Sequence, residues 1–146
     1  RKLLRRKLQF KGTERRNIIL QNLLFFEDQI EDADSVWPRR GHLPSAHYAI
    51  NVAVESLLKI LFAYNGRFFP SDKWRLYYSY HLPWLPKNYH TRITDIMTTH
   101  GIRNVSLRPR VAALKKLDAA LRRKLHEDGM LPKDVYRYCL EKIWTT

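Results

Sequence analysis

The sequence predicts an all-α fold, an antiparallel bundle of five or six helices. Three observations carry this. Apolar residues recur at intervals of three and four through nearly every segment. No alternating strand pattern survives over five residues. Residues 46–64 are apolar nearly all round, and a helix of that kind has to be wrapped by others.

The elements follow in order. Ile19, Leu23, Phe26 and Ile30 mark one face of an amphipathic helix over 14–33. Trp37-Pro38 and Leu43-Pro44 bracket a loop, and the next helix starts near Ser45. Its stripe runs through Ala46, Ile50, Ala53, Leu57, Ile60 or Leu61, and Tyr64. Ala49, Val52, Val54, Leu58 and Phe62 leave only a thin polar edge, on which Glu55 and Lys59 stand four apart as an expected ion pair. Asn65-Gly66 is the stop, because both residues tolerate a left-handed cap. Ser71 caps a short helix to about Ser79. Asn88 caps another through Ile93, Ile96 and Met97, ended by His100-Gly101. Pro109 sits in the first turn of a longer helix whose stripe is Val111, Leu114, Leu117 or Ala120, Leu121 and Leu125, closed by Gly129. A last helix after Pro132 buries Val135, Tyr138 or Cys139, and Ile143.

With 146 residues, 45% of them hydrophobic, the chain can bury one core and is not disordered. We expect a single helical domain over 1–146, with 1–13 as a basic connecting segment and 14–146 as the bundle. The chain lacks an initial Met and a signal-peptide pattern, so it reads as the C-terminal piece of a longer protein. Lys59 interrupts the longest apolar run, around Leu57 to Tyr64, short of the roughly 18 residues of a membrane span. No membrane partner is expected. The lone Cys139 excludes an internal disulfide and agrees with a cytoplasmic, reducing compartment.

Net charge is +13, and it is unevenly placed. Residues 1–16 carry eight cations and one Glu, and residues 103–124 carry eight cations and one Asp. Glu27, Asp28, Glu31, Asp32 and Asp34 form an acidic block between them. The two basic stretches are either solvated faces or sites for the phosphates of a nucleotide or nucleic acid.

No complete catalytic signature is present. Glu27-Asp28 and Glu31-Asp32 lie on neighbouring faces of one helix, but no Gly-Ser phosphate loop stands beside them, so a metal site is not expected there. The six histidines are scattered, and Pro44 separates His42 from His47, so zinc ligation is not expected either. Small helical ribonucleases of the higher-eukaryote-and-prokaryote nucleotide-binding class use an Arg and a His separated by four to six intervening residues. Arg40 with His47 and Arg75 with His81 match that spacing. Sixteen Arg and six His produce such pairs by chance.

The densest chemistry lies in Asn65-Gly66-Arg67-Phe68-Phe69-Pro70-Ser71-Asp72-Lys73-Trp74. A helix stop followed by a capped helix explains the Gly, the Pro and the aromatics as core plugs. It does not explain Arg67 and Lys73 on either side of Pro70. Two cations on a rigid turn beside aromatic faces can bind phosphate and stack a base.

A long apolar helix ending in Asn65-Gly66-Arg67-Phe68-Phe69-Pro70-x-x-Lys73-Trp74 resembles the C-terminal helical domain, of unknown function, in bacterial nucleotidyltransferase-like proteins. There it follows a polymerase-beta-type nucleotidyltransferase domain, much as in the helical half of kanamycin nucleotidyltransferase. Arg40-Gly41 also fits the pattern. The resemblance covers about residues 14–100 and is strongest at 39–78. It implies an accessory, substrate-side domain with no cofactor of its own and no catalysis by itself. Its partners would be an upstream nucleotidyltransferase domain carrying magnesium and a nucleotide or other phosphate-bearing substrate. By the resemblance Arg67 and Lys73 neutralise phosphate, Trp74 or Phe68 wall the pocket, Asn65 holds the turn and Arg40 reaches the same face. The Gly-Ser and Asp-x-Asp of a catalytic domain are absent from these residues. The alternative is a basic helical module that binds nucleic acid or a protein without chemistry.

Overall fold

A computed structural model describes residues 12–101 and 103–145, and they form six principal helices. These are α1 (Gly12–Glu31), α2 (Leu43–Tyr64), α3 (Asp72–Ser79), α4 (Tyr89–Met97), α5 (Asn104–Glu127) and α6 (Val135–Lys142). No strand occurs among the described residues, so the all-α expectation holds. The basic residues 1–11 lie outside the described residues.

α2 is the centre. Its side chains at Ala46, Ile50, Ala53, Leu57, Ile60 and Leu61 are fully buried, and Ala49, Val54, Leu58, Phe62 and Ala63 are nearly so. Burial of each large apolar side chain stabilises the fold by about 1.5–3 kcal/mol. α1 packs along α2 through Ile19, Leu20, Leu23, Phe26 and Ile30. α5 contributes Leu107, Val111, Leu114, Leu117, Leu121 and Leu125 to the same core, and α4 packs on α5 through Ile93 and Ile96. α2 is, in length and composition, apolar enough to cross a membrane, contrary to the run-length expectation. Within the bundle 72% of its most apolar window is buried.

Several boundaries differ from those expected. α1 does not give way to a loop at 34. It continues through a π-helical turn, Asp32–Val36, and a short helical turn, Trp37–Arg39. Pro38 stands in the first turn of that short helix, a position at which proline is accommodated. α2 begins at Leu43, two residues early. Its cap is His42, whose ring Nδ1 accepts from the Ser45 amide at 3.3 Å. α5 begins at Asn104, so Pro109 lies inside the helix rather than in its first turn. Ser71 and Asn88 occupy cap positions without a side-chain cap bond. Glu55 does not pair with Lys59, because Arg75 of α3 takes its carboxylate at 2.5 Å.

One buried polar cluster joins three helices. The Arg110 guanidinium of α5, 4% exposed, donates to the Ile96 carbonyl at the end of α4 and to Asn51 Oδ1 of α2 at 3.1 Å. Its Nη1 lies 2.6 Å from His47 Nδ1. Burial, and then the Arg110 charge, hold the His47 pKa below its ordinary value, which keeps the ring a neutral acceptor.

Leu57→Asp would place an unpaired carboxylate in the centre of this core. The expected outcome is loss of cooperative thermal unfolding and of helical circular dichroism. A variant that melts like the parent would show that α2 is not the core helix.

Candidate functional site

The turn between α2 and α3 is built on the C-terminal end of α2. Gly66 takes a left-handed φ of 66°, and the Arg67 amide reaches back to the Phe62 carbonyl at 2.9 Å. Asn65 stays right-handed, with φ of −81°, so of the two stop residues only Gly66 supplies the left-handed cap.

The side chain of Asn65 is fully used. Its Nδ2 donates to the Leu61 carbonyl at 2.8 Å and to the Trp84 carbonyl at 3.0 Å. Its Oδ1 accepts from the Trp84 amide at 2.8 Å. Asn65 thus clamps the 82–86 segment to the end of α2, and the Tyr64 and Trp84 rings pack with centroids 4.7 Å apart. Arg15 of α1 donates to the carbonyls of Ala63, at 2.9 Å, and of Tyr64. A cation at a helix C-terminus is favoured by the partial negative charge there. Tyr64 donates its hydroxyl to Asp128, at the end of α5. Burial, then this hydrogen bond, push the Tyr64 pKa up to about 12.

Beyond the turn, α3 divides into two faces. Arg75 lies on the inner face. Its guanidinium contacts Glu55 and Asp72, each at 2.5 Å, and the Pro70 carbonyl at 3.2–3.3 Å. It also lies 4.2 Å above the Phe69 ring, which meets Phe62 edge-on. Ser79 is buried, with Oγ 2.7 Å from the Tyr89 hydroxyl. Phe69 is therefore the plug the sequence suggested.

Phe68 and Trp74 are not plugs, since both are exposed. Lys73 Nζ sits 5.3 Å from the Trp74 ring centre. Arg67 and Lys73 are exposed and form no ion pair with any described residue. Arg67, Lys73 and Trp74 therefore stand within one short turn and the helix it starts. Arg40 lies at the other end of α2, exposed, over the Trp37 ring at 5.4 Å.

Three rings that spacing alone did not single out extend the Trp74 surface. Tyr77, Tyr78 and His81 are exposed on the outer side of α3. The centroid of Trp74 is 6.1 Å from Tyr77 and 5.8 Å from Tyr78, and Tyr77 is 5.3 Å from His81. Their signal was the run 74, 77, 78, 81, which is one helix face. In sequence, such a face reads as core.

Of the two Arg/His pairs, one member of each is engaged within the fold. His47 is buried against Arg110, and Arg75 is consumed by Glu55, Asp72 and Pro70. Among the described residues no three His, Cys, Asp or Glu side chains converge as metal ligands. The acidic block is bound to the second basic stretch. Arg122 makes a two-point contact with Glu27, both bonds at 2.6 Å, and Lys115 meets Asp34 at 2.6 Å. Asp118 lies beside Glu27. Burial, and next the hydrogen bond and charge of Glu27, push its pKa from 3.8 to about 8.

Two outcomes follow from these contacts. Asn65→Leu strands the Trp84 amide and carbonyl, and we expect a loss of about 1–3 kcal/mol in denaturant unfolding. An unchanged midpoint would show that the clamp contributes nothing. Folded Asp118 keeps a proton that the unfolded chain releases above pH 3.8, so this group's contribution falls as pH rises toward about 8. Asp118→Asn has no proton to lose. It should melt above the parent at pH 8, with the gap closing by pH 3.5, as thermal melts across that range would register.

No family model matches the chain, and no curated protein or solved structure matches it.

Proposed function

We propose that this chain is the substrate-side helical domain of a nucleotidyl-transfer protein and that it binds a phosphate-bearing ligand at the α2–α3 turn. The supporting observation is the pairing of two exposed cations, Arg67 and Lys73, with the exposed Trp74, on a turn whose base is held by Asn65, Arg15 and Tyr64. The turn is positioned before any ligand arrives, so little ordering remains to oppose binding. The cations would meet phosphate oxygens and the indole face would lie against a base. The magnesium and carboxylates of nucleotidyl transfer would belong to a partner domain outside these residues. Arg40 is set at the far end of α2 and would contact the partner rather than the same phosphate.

The second reading, a basic binding module without chemistry, uses the same residues and differs only in lacking the partner domain. In either reading several described cations of the two basic stretches are already engaged within the fold. Arg15 caps the end of α2 through the Ala63 carbonyl, Arg16 donates to the Met130 carbonyl beyond α5, and Arg110, Lys115 and Arg122 are bound internally.

Arg67→Ala with Lys73→Ala is expected to weaken binding of a nucleoside triphosphate about tenfold, or ~1.4 kcal/mol, at low salt. The melting temperature should stay within about 2 °C of the parent, because both side chains are exposed. Calorimetric titration beside thermal melts measures both. Equal affinity with a lowered melting temperature would make these cations structural and overturn the reading.

A further inference from the structure

We propose that the outer face of α3 is a stacking platform for successive bases of single-stranded nucleic acid, so that the ligand of this domain is a polynucleotide rather than a free nucleotide. This rests on the phosphate-binding reading of the adjacent turn and names its substrate class.

The face consists of rings and cations. Trp74, Tyr77 and Tyr78 are 44%, 57% and 47% exposed, and His81 continues the row. Their spacings of three and four place them on one stripe, opposite Arg75, Leu76 and Ser79, which face the bundle. Neighbouring centroids lie 5.3–6.1 Å apart. An aromatic stripe left in solvent marks a contact surface. Rings of this kind occur in protein interfaces as well, and the cations beside them are what favour a polyanionic strand. The carboxylate on α3, Asp72, shares the Arg75 charge with Glu55, so Lys73 and Arg67 leave the local balance positive.

Openness decides between monomer and polymer. A free nucleotide is held in a concavity that buries most of it. Rings about half exposed on a convex helix cannot do that. Trp74 and Tyr78, whose ring planes lie 34° apart, can each take one base from a strand, accumulating affinity base by base while cations track the backbone. From Trp74 to Tyr78 the helix advances about 6 Å, room for two bases.

The test uses the 146-residue chain and fluorescence anisotropy with a labelled 12-nucleotide single strand, the same sequence as duplex, and a nucleoside triphosphate as competitor. The expected result is single-strand affinity at least tenfold above that for duplex or triphosphate. Tyr78→Ala should lower single-strand affinity about tenfold or more with an unchanged melting temperature and unchanged triphosphate affinity. Tyr77→Ser should act in the same direction. Single-strand binding indifferent to the ring variants, or no stronger than duplex binding, would overturn the platform. Triphosphate binding that still depends on Arg67 and Lys73 would then leave the turn's phosphate reading standing. Loss of all binding would end both. Self-association of the chain that Trp74→Ala abolishes would show the face to be a protein contact instead, and would equally overturn the proposal.

Discussion

α2 has almost no face that can meet water, and the rest of the structure is arranged around that constraint. Twenty-two residues with buried side chains on nearly every side need neighbours on nearly every side. α1 and α5 supply the long ones, and the segment after α3 covers the C-terminal end through Trp84 and Leu82. The buried Arg110 guanidinium obeys the same constraint, whereas His47 Nε2 and Asp118 Oδ1 are buried without a hydrogen-bond partner. Arg110 enters the core only because Ile96, Asn51 and His47 accept its donors, and so it links three helices at the opposite end from the turn.

The end of a buried helix leaves carbonyls that need partners, and meeting that need positions the candidate site. Arg15 and the Arg67 amide take the last carbonyls of α2, and the Asn65 side chain fixes the incoming 82–86 segment. The chain then leaves at a defined angle, with Phe69 and Arg75 docked inward. Docking of the inner face of α3 leaves Trp74, Tyr77, Tyr78 and His81 no place but outside. The exposed row is therefore a consequence of packing, and its proposed use is read from the residue types found there.

Charge illustrates how little a net value says about ligands. The surplus of +13 left two basic stretches as either solvated faces or phosphate sites. Folding brings the acidic residues of α1 and its π-helical extension against the basic stretch of α5, at Glu27–Arg122 and Asp34–Lys115. Exposed pairs of this kind contribute little to stability. They do remove those cations from the set available to a ligand, which shifts attention to Arg67 and Lys73.

The sequence by itself determined the helical class, the central helix, the stop at Gly66 and the stripe of α5, because each depends on local periodicity or on one residue's backbone freedom. It also located the cation pair flanking Pro70, since a short turn keeps its residues together in any fold. Helix starts at His42 and Asn104 were hidden, because a His cap and a Pro inside a helix go against local preference and are tolerated only where surroundings compensate. Only the tertiary structure decided which side of α3 faces water. An aromatic stripe at helical spacing is the same pattern whether it meets a core or solvent. What separates the two is the docking of Arg75 on Glu55 and Ser79 on Tyr89, contacts across 20 and 10 residues that no local pattern encodes.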